Sequence, residues 1–95
     1  MIKSFKTKTT EKVFEGEKPK KFRGLDFDLA VMRLDMLDNA ISLQSLSPLK
    51  SIGLHPLKGG RQGQWAISVN SRWRICFEFV DGNAINVEIT DYHKG

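Results

Sequence analysis

Residues 63–90, GQWAISVNSRWRICFEFVDGNAINVEIT, decide the fold. Trp65, Ile67 and Val69 recur at every second position; so do Trp73, Ile75, Phe77 and Phe79, and then Ile85, Val87 and Ile89. Period two marks a strand with one buried face. Two breaks divide the run into three strands. Asn70-Ser71 is the first. Asp81-Gly82 is the stronger, because a two-residue hairpin turn of this type needs positive φ at both central positions. The stretch therefore predicts an antiparallel meander with one apolar face. Its other face carries Ser68, Arg74, Cys76, Glu78, Asn86, Glu88 and Thr90. Trp65 and Trp73 are in phase with the apolar positions and read as core rather than as platforms for stacked bases.

Upstream, the pattern changes to helical. Asp26 is a candidate N-cap for a helix running to about Leu43. Phe27, Ala30, Leu34, Leu37 and Ile41 form one apolar stripe; Leu29, Met32, Met36, Ala40 and Leu43 form a second. A helix with two apolar faces needs two burial partners: the sheet is one, and a first helix or another chain is the other. That first helix is predicted over Thr10 to Phe14, capped by Thr9 or Thr10. Ile2 to Lys6 reads as a short N-terminal strand, and Gly16 to Gly24, with Pro19 and four basic residues, as a loop. The fold class is α+β: an N-terminal strand and two helices packed on one face of an antiparallel meander, in a single domain over 1–95.

Ninety-five residues, 40% of them hydrophobic and 27% charged, suit one globular core. No apolar run approaches the roughly 20 residues of a membrane helix. Met1 to Lys6 lacks the apolar segment of a secretory signal, so a cytoplasmic setting is expected. Lone Cys76 has no internal disulfide partner and reads as a small buried hydrophobe. The net charge is +4, with eight Lys/Arg against three acids in residues 1–24. Such a segment suits a polyanion or an acidic partner, although scattered lysines are more often just solvated.

The chemistry concentrates in three places: His55-Pro56-Leu57-Lys58-Gly59, Arg74, and Asp91-Tyr92-His93 at the end of the last strand. Cleavage of RNA without a metal needs a base for the 2′-hydroxyl, a cation for the charge gathering on phosphorus, and an acid for the departing 5′-oxygen. Histidine suits either proton-transfer role, and arginine offers a planar fork for phosphate oxygens. Each residue also has a plainer role. A lone histidine is commonly a surface residue, and Arg74 has Glu88 as a possible cross-strand partner. Two histidines and one cysteine without HxxxH or CxxC spacing give little basis for zinc. No Walker or Rossmann glycine pattern is present. No metal or cofactor is expected.

Taken in order, Leu54-His55-Pro56-Leu57-Lys58-Gly59, Arg61-x-Gly63-x-Trp65-x-Ile67, Trp73-Arg74-Ile75-Cys76-Phe77 and Val87-Glu88-Ile89-x-Asp91-Tyr92-His93 resemble the HigB-type toxins of the RelE/ParE toxin–antitoxin superfamily. Met1-Ile2-Lys3-Ser4-Phe5 resembles their usual start. The resemblance spans nearly the whole chain, except 16–24 and 44–53, where no shared motif stands out. It implies a ribosome-dependent endonuclease that cuts mRNA in the ribosomal A site without a metal and arrests translation. By the same resemblance His55, Lys58, Asp91, Tyr92 and His93 are catalytic, with Asp91 orienting His93. Arg74, Arg61 and Arg72 contact phosphate or RNA. The implied partners are a HigA-like helix-turn-helix antitoxin, the ribosome and its mRNA; operator DNA is met only through the antitoxin, and no membrane is involved. A ParE-like gyrase poison and a non-catalytic RNA- or protein-binding module are the competing readings. The first does not need the His55, Lys58, Asp91-Tyr92-His93 set; the second predicts that His93→Ala leaves growth inhibition intact.

Overall fold

A computed structural model describes residues 1–46 and 53–91. Two helices, α1 (Lys8–Phe14) and α2 (Phe27–Asn39), precede four strands. These are β1 (His55–Pro56), β2 (Trp65–Ser68), β3 (Trp73–Val80) and β4 (Asn83–Asp91), in the order β1-β2-β3-β4 with every neighbour antiparallel. Both helices pack on β4 and on each other. This is the α+β layering expected from the sequence. Among the described residues, no helix is long and apolar enough to cross a membrane.

The core forms where the helical stripe meets the sheet. Ala30, Leu34 and Leu37 of α2 are fully buried against a cluster that includes Ile67, Ile75, Phe77 and Val87. The β3–β4 turn has positive φ at both Asp81 (52°) and Gly82 (79°), as the Asp-Gly pair predicts. Trp73 is buried edge-on against Phe22, with ring centroids 5.5 Å apart.

Five local details differ from the sequence expectations. The α1 cap is Thr7, whose hydroxyl accepts from Thr10 N, and the helix begins at Lys8. Thr10 is instead a buried helical residue whose Oγ1 accepts from Ile89 N at 3.0 Å. Helix α2 stops at Asn39 rather than near Leu43, because Ala40 turns extended and Ser42 caps a separate 3₁₀ turn over Leu43–Ser45. That break leaves Ile41 82% exposed instead of on the buried stripe. On the second stripe, Leu29, Met36 and Leu43 are half-buried against the core while Met32 faces solvent.

The fourth difference lies in β4. Ala84, Val87 and Ile89 face the core, and Ile85 does not. Asn86 takes φ 53°, and the pairing with β3 shifts between Cys76 and Glu78, so two β4 residues oppose Phe77 alone. This is a β-bulge, which reverses the alternation on one side of itself. It also shapes the N-terminal segment. Ile2 and Phe5 bridge Ala84 and Val87 in parallel, three residues apart on both sides, so the predicted first strand is two isolated bridges rather than a continuous ladder. Between them Ser4 Oγ accepts from Asn86 N. The β4 edge is thus closed by the N-terminal segment and then by Thr10, which removes a row of open backbone donors.

Candidate active site

The β-ladder sets the positions of the chemistry-bearing residues. His55 is opposite Ala66, Ala66 opposite Cys76, and Cys76 opposite Glu88. The next row is Ser68, Arg74 and Thr90. Directly opposed residues share a face. Ile67 and Ile75 take the helix side, so His55, Ser68 and Arg74 project from the other. Ser68, Arg74 and His55, with Ser71 and Trp73, line one pocket of about 350 Å³ at the sheet end.

His55 is exposed, and its Nδ1 lies 2.8 Å from Gly53 O. A carbonyl only accepts, so Nδ1 carries the proton and Nε2 of the neutral ring is left as an acceptor. Gly53 has φ +60°, and a Cβ there would sit 3.0 Å from Ser68 Oγ. Glycine is therefore the residue that lets this carbonyl orient the imidazole.

Arg74 is half-buried and hydrogen-bonds the Cys76 thiol. Burial pushes that thiol above its ordinary pKa, while the charges of Arg74 and Arg61 partly oppose the shift. Cys76 is 1% exposed although it lies on the face away from the helices. Arg61 ties down this face through Glu88, which is opposite Cys76. Its guanidinium reaches Gln64 Oε1 at 3.0 Å and Glu88 Oε1 at 3.2 Å, drawing the loop after β1 onto the sheet. Lys58 precedes the 3₁₀ turn Gly59–Arg61 of that loop, makes no side-chain capping bond to it and is itself exposed. The register puts Thr90, not Glu88, opposite Arg74, and Glu88 also meets Lys6 at 4.0 Å.

Asp91 falls on the other side. It is opposite Trp73, so alternation sends its carboxylate toward the helices, where Oδ2 meets Arg72 Nε at 3.0 Å. Arg72 lies over the Trp73 ring, 5.5 Å from its centroid. The structure therefore gathers His55 and Arg74 in one pocket and Asp91 and Arg72 in another, with Trp73 bordering both. Tyr92 and His93 lie outside the described residues. Among the described residues, no group of three or more His, Cys, Asp or Glu side chains is placed to hold a metal ion.

Sequence reasoning missed Ser68, Ser71 and the borders supplied by Lys21 and Arg23. No motif marks them. The only signal was the positive charge of the Gly16–Gly24 loop, which gave no indication of where that loop would land.

Comparison with known proteins shows a family and a fold. A family model for HigB-like toxins, described as the RelE-like toxin of the type II toxin–antitoxin system HigB, matches residues 3–93. Endoribonuclease HigB of Proteus vulgaris is 40% identical over 93 residues, covering 98% of this chain and 100% of the relative. Toxin HigB-1 of Vibrio cholerae serotype O1 is 32% identical over 95 residues, covering 99% of each. The crystal structure of a mutant of YafQ from E. coli superposes with a TM-score of 0.65 over 99% of this chain and 97% of that one. At 14% identity that match speaks to the fold alone.

Proposed function

The chain belongs to the HigB-like toxins of type II toxin–antitoxin systems, and from that premise we propose that it is a ribosome-dependent endoribonuclease acting on mRNA in the A site. The observation that carries this reading is the pocket shared by His55 and Arg74, because it pairs an oriented imidazole with a guanidinium at an exposed sheet end. The relative from Proteus vulgaris, named an endoribonuclease, supports the reaction class.

In the proposed reaction the 2′-oxygen attacks the adjoining phosphorus and the bond to the 5′-oxygen breaks, leaving a 2′,3′-cyclic phosphate and a 5′-hydroxyl. His55 Nε2 is an acceptor within the pocket and takes part in proton transfer. Arg74 supplies charge where it develops on the phosphorane oxygens, and Lys58, exposed on the loop after β1, is the second cation of the proposed set. Arg61, held by Gln64 and Glu88, fits a role in keeping that loop against the sheet. Tyr92 and His93 directly follow Asp91 and complete the acid/base set. No step requires a metal. The partner is a HigA-like antitoxin, the toxin working as one domain in the cytoplasm.

Primer extension on a defined mRNA in a translating extract tests this, with free mRNA and added chelator as companion reactions. Cuts that need ribosomes, survive chelation and vanish in His55→Ala are the expected result. Growth arrest without cuts would overturn the reading and direct attention to gyrase supercoiling.

A further inference from the structure

A third pocket, of about 330 Å³, adjoins the His55–Arg74 pocket and shares Ser71 and Trp73 with it. Its other walls are Arg23, Gly24 and Arg72. Two arginines and a serine lining one concavity have the chemistry to hold an anion. Arg72 meets Asp91 Oδ2 through its Nε at 3.0 Å, and the fork carries two further nitrogens with donor hydrogens.

The loop carrying Arg23 is tied down unusually well for an exposed basic segment. Phe22 and Leu25, on either side, are buried in the core. Trp73 Nε1 donates to Arg23 O at 2.9 Å, Asn70 Nδ2 donates to Gly24 O at 2.9 Å, and Asp26 N donates to Asn70 Oδ1 at 2.8 Å. The side chain of Arg23 is exposed. Every anchor thus falls on its backbone or its neighbours, and the charged group is presented beside the candidate active site. A guanidinium carried on an anchored backbone loses less entropy on binding than one on a mobile loop.

We propose that Arg23, Ser71 and Arg72 form a subsite for a phosphodiester adjoining the scissile one, so that the RNA backbone crosses from the His55–Arg74 pocket toward the Arg23 loop. This rests on the endoribonuclease reading above. The ligand is the RNA backbone, not its bases, so the subsite adds affinity and register without sequence preference.

The test is single-turnover cleavage on ribosomes programmed with defined mRNA, in which either phosphate flanking the cut is replaced by a neutral methylphosphonate. The wild type is compared with Arg23→Gln and Arg23→Lys, and with Lys3→Gln as a charge-matched loss at the far end of the sheet. Arg23→Gln is expected to raise the half-saturating toxin concentration roughly tenfold and to lower the salt slope of binding by about one. One of the two methylphosphonates should then weaken the wild type and add nothing further in Arg23→Gln. Arg23→Lys should restore part of the loss, and Lys3→Gln should show no coupling to either substitution. Effects of Arg23→Gln and both methylphosphonates that simply multiply would overturn the subsite while leaving the nuclease standing. No cleavage of unmodified mRNA by the wild type would overturn both.

Discussion

At the scale of single residues, the site depends on small groups that hold larger ones. Gly53 has φ +60° and stands against Ser68 Oγ, while its carbonyl orients His55. Gly53→Ala is expected to cost at least about 1 kcal/mol in a urea melt, through the strained φ and the close hydroxyl. It should also reduce cleavage further than that loss explains, because the imidazole loses its fixed acceptor. Cys76 makes a different prediction. Its pKa is raised by burial, so the thiolate fraction at neutral pH is smaller than for a free cysteine. Alkylation of the native protein should be slow at pH 7–8 and become fast once denaturant opens the fold. Rapid labelling without loss of structure would contradict the burial of this thiol.

At the scale of elements, what was legible in the sequence was whatever a local rule specifies. Period two over Trp73 to Phe79 and the Asp81-Gly82 turn each have one physical solution, and both are present. The bulge at Asn86 has no comparable signal. Asparagine tolerates the left-handed region, but whether it adopts it depends on the partner strand and on Ser4, 82 residues away in sequence. Ile85 was consequently assigned to the wrong face. Thr10 failed for a related reason, because its hydroxyl serves a strand far along the chain rather than its own helix. Two substitutions check these accounts in denaturant melts. Asn86→Val should destabilise by about 1–2 kcal/mol, since a β-branched residue resists positive φ, whereas Asn86→Gly should be tolerated. Thr10→Val should cost about 1–3 kcal/mol by leaving Ile89 N buried without an acceptor. Thr10→Ser keeps the hydroxyl and should cost less.

At the scale of the whole molecule, the helices and the N-terminal segment cover one face and one edge of the sheet, and the chemistry gathers at the end where β3 begins and β4 finishes. The sequence named His55, Arg74, Arg72 and Asp91, but their grouping into two pockets around Trp73 depends on ladder register, which no spacing in the sequence reports. The basic loop of residues 16–24 looked unrelated to the site for the same reason: Phe22 and Leu25 bring it there through the core. The central claim is that this sheet end cuts RNA by attack of a 2′-hydroxyl. Its most direct test is an mRNA placed in the ribosomal A site with one 2′-deoxy nucleotide at the cut position, treated with wild type and with His55→Ala. Cleavage of the all-ribose mRNA by the wild type, ending in a 2′,3′-cyclic phosphate and lost with either substitution, is the predicted result. Equal cleavage of the 2′-deoxy mRNA at the same bond would contradict it.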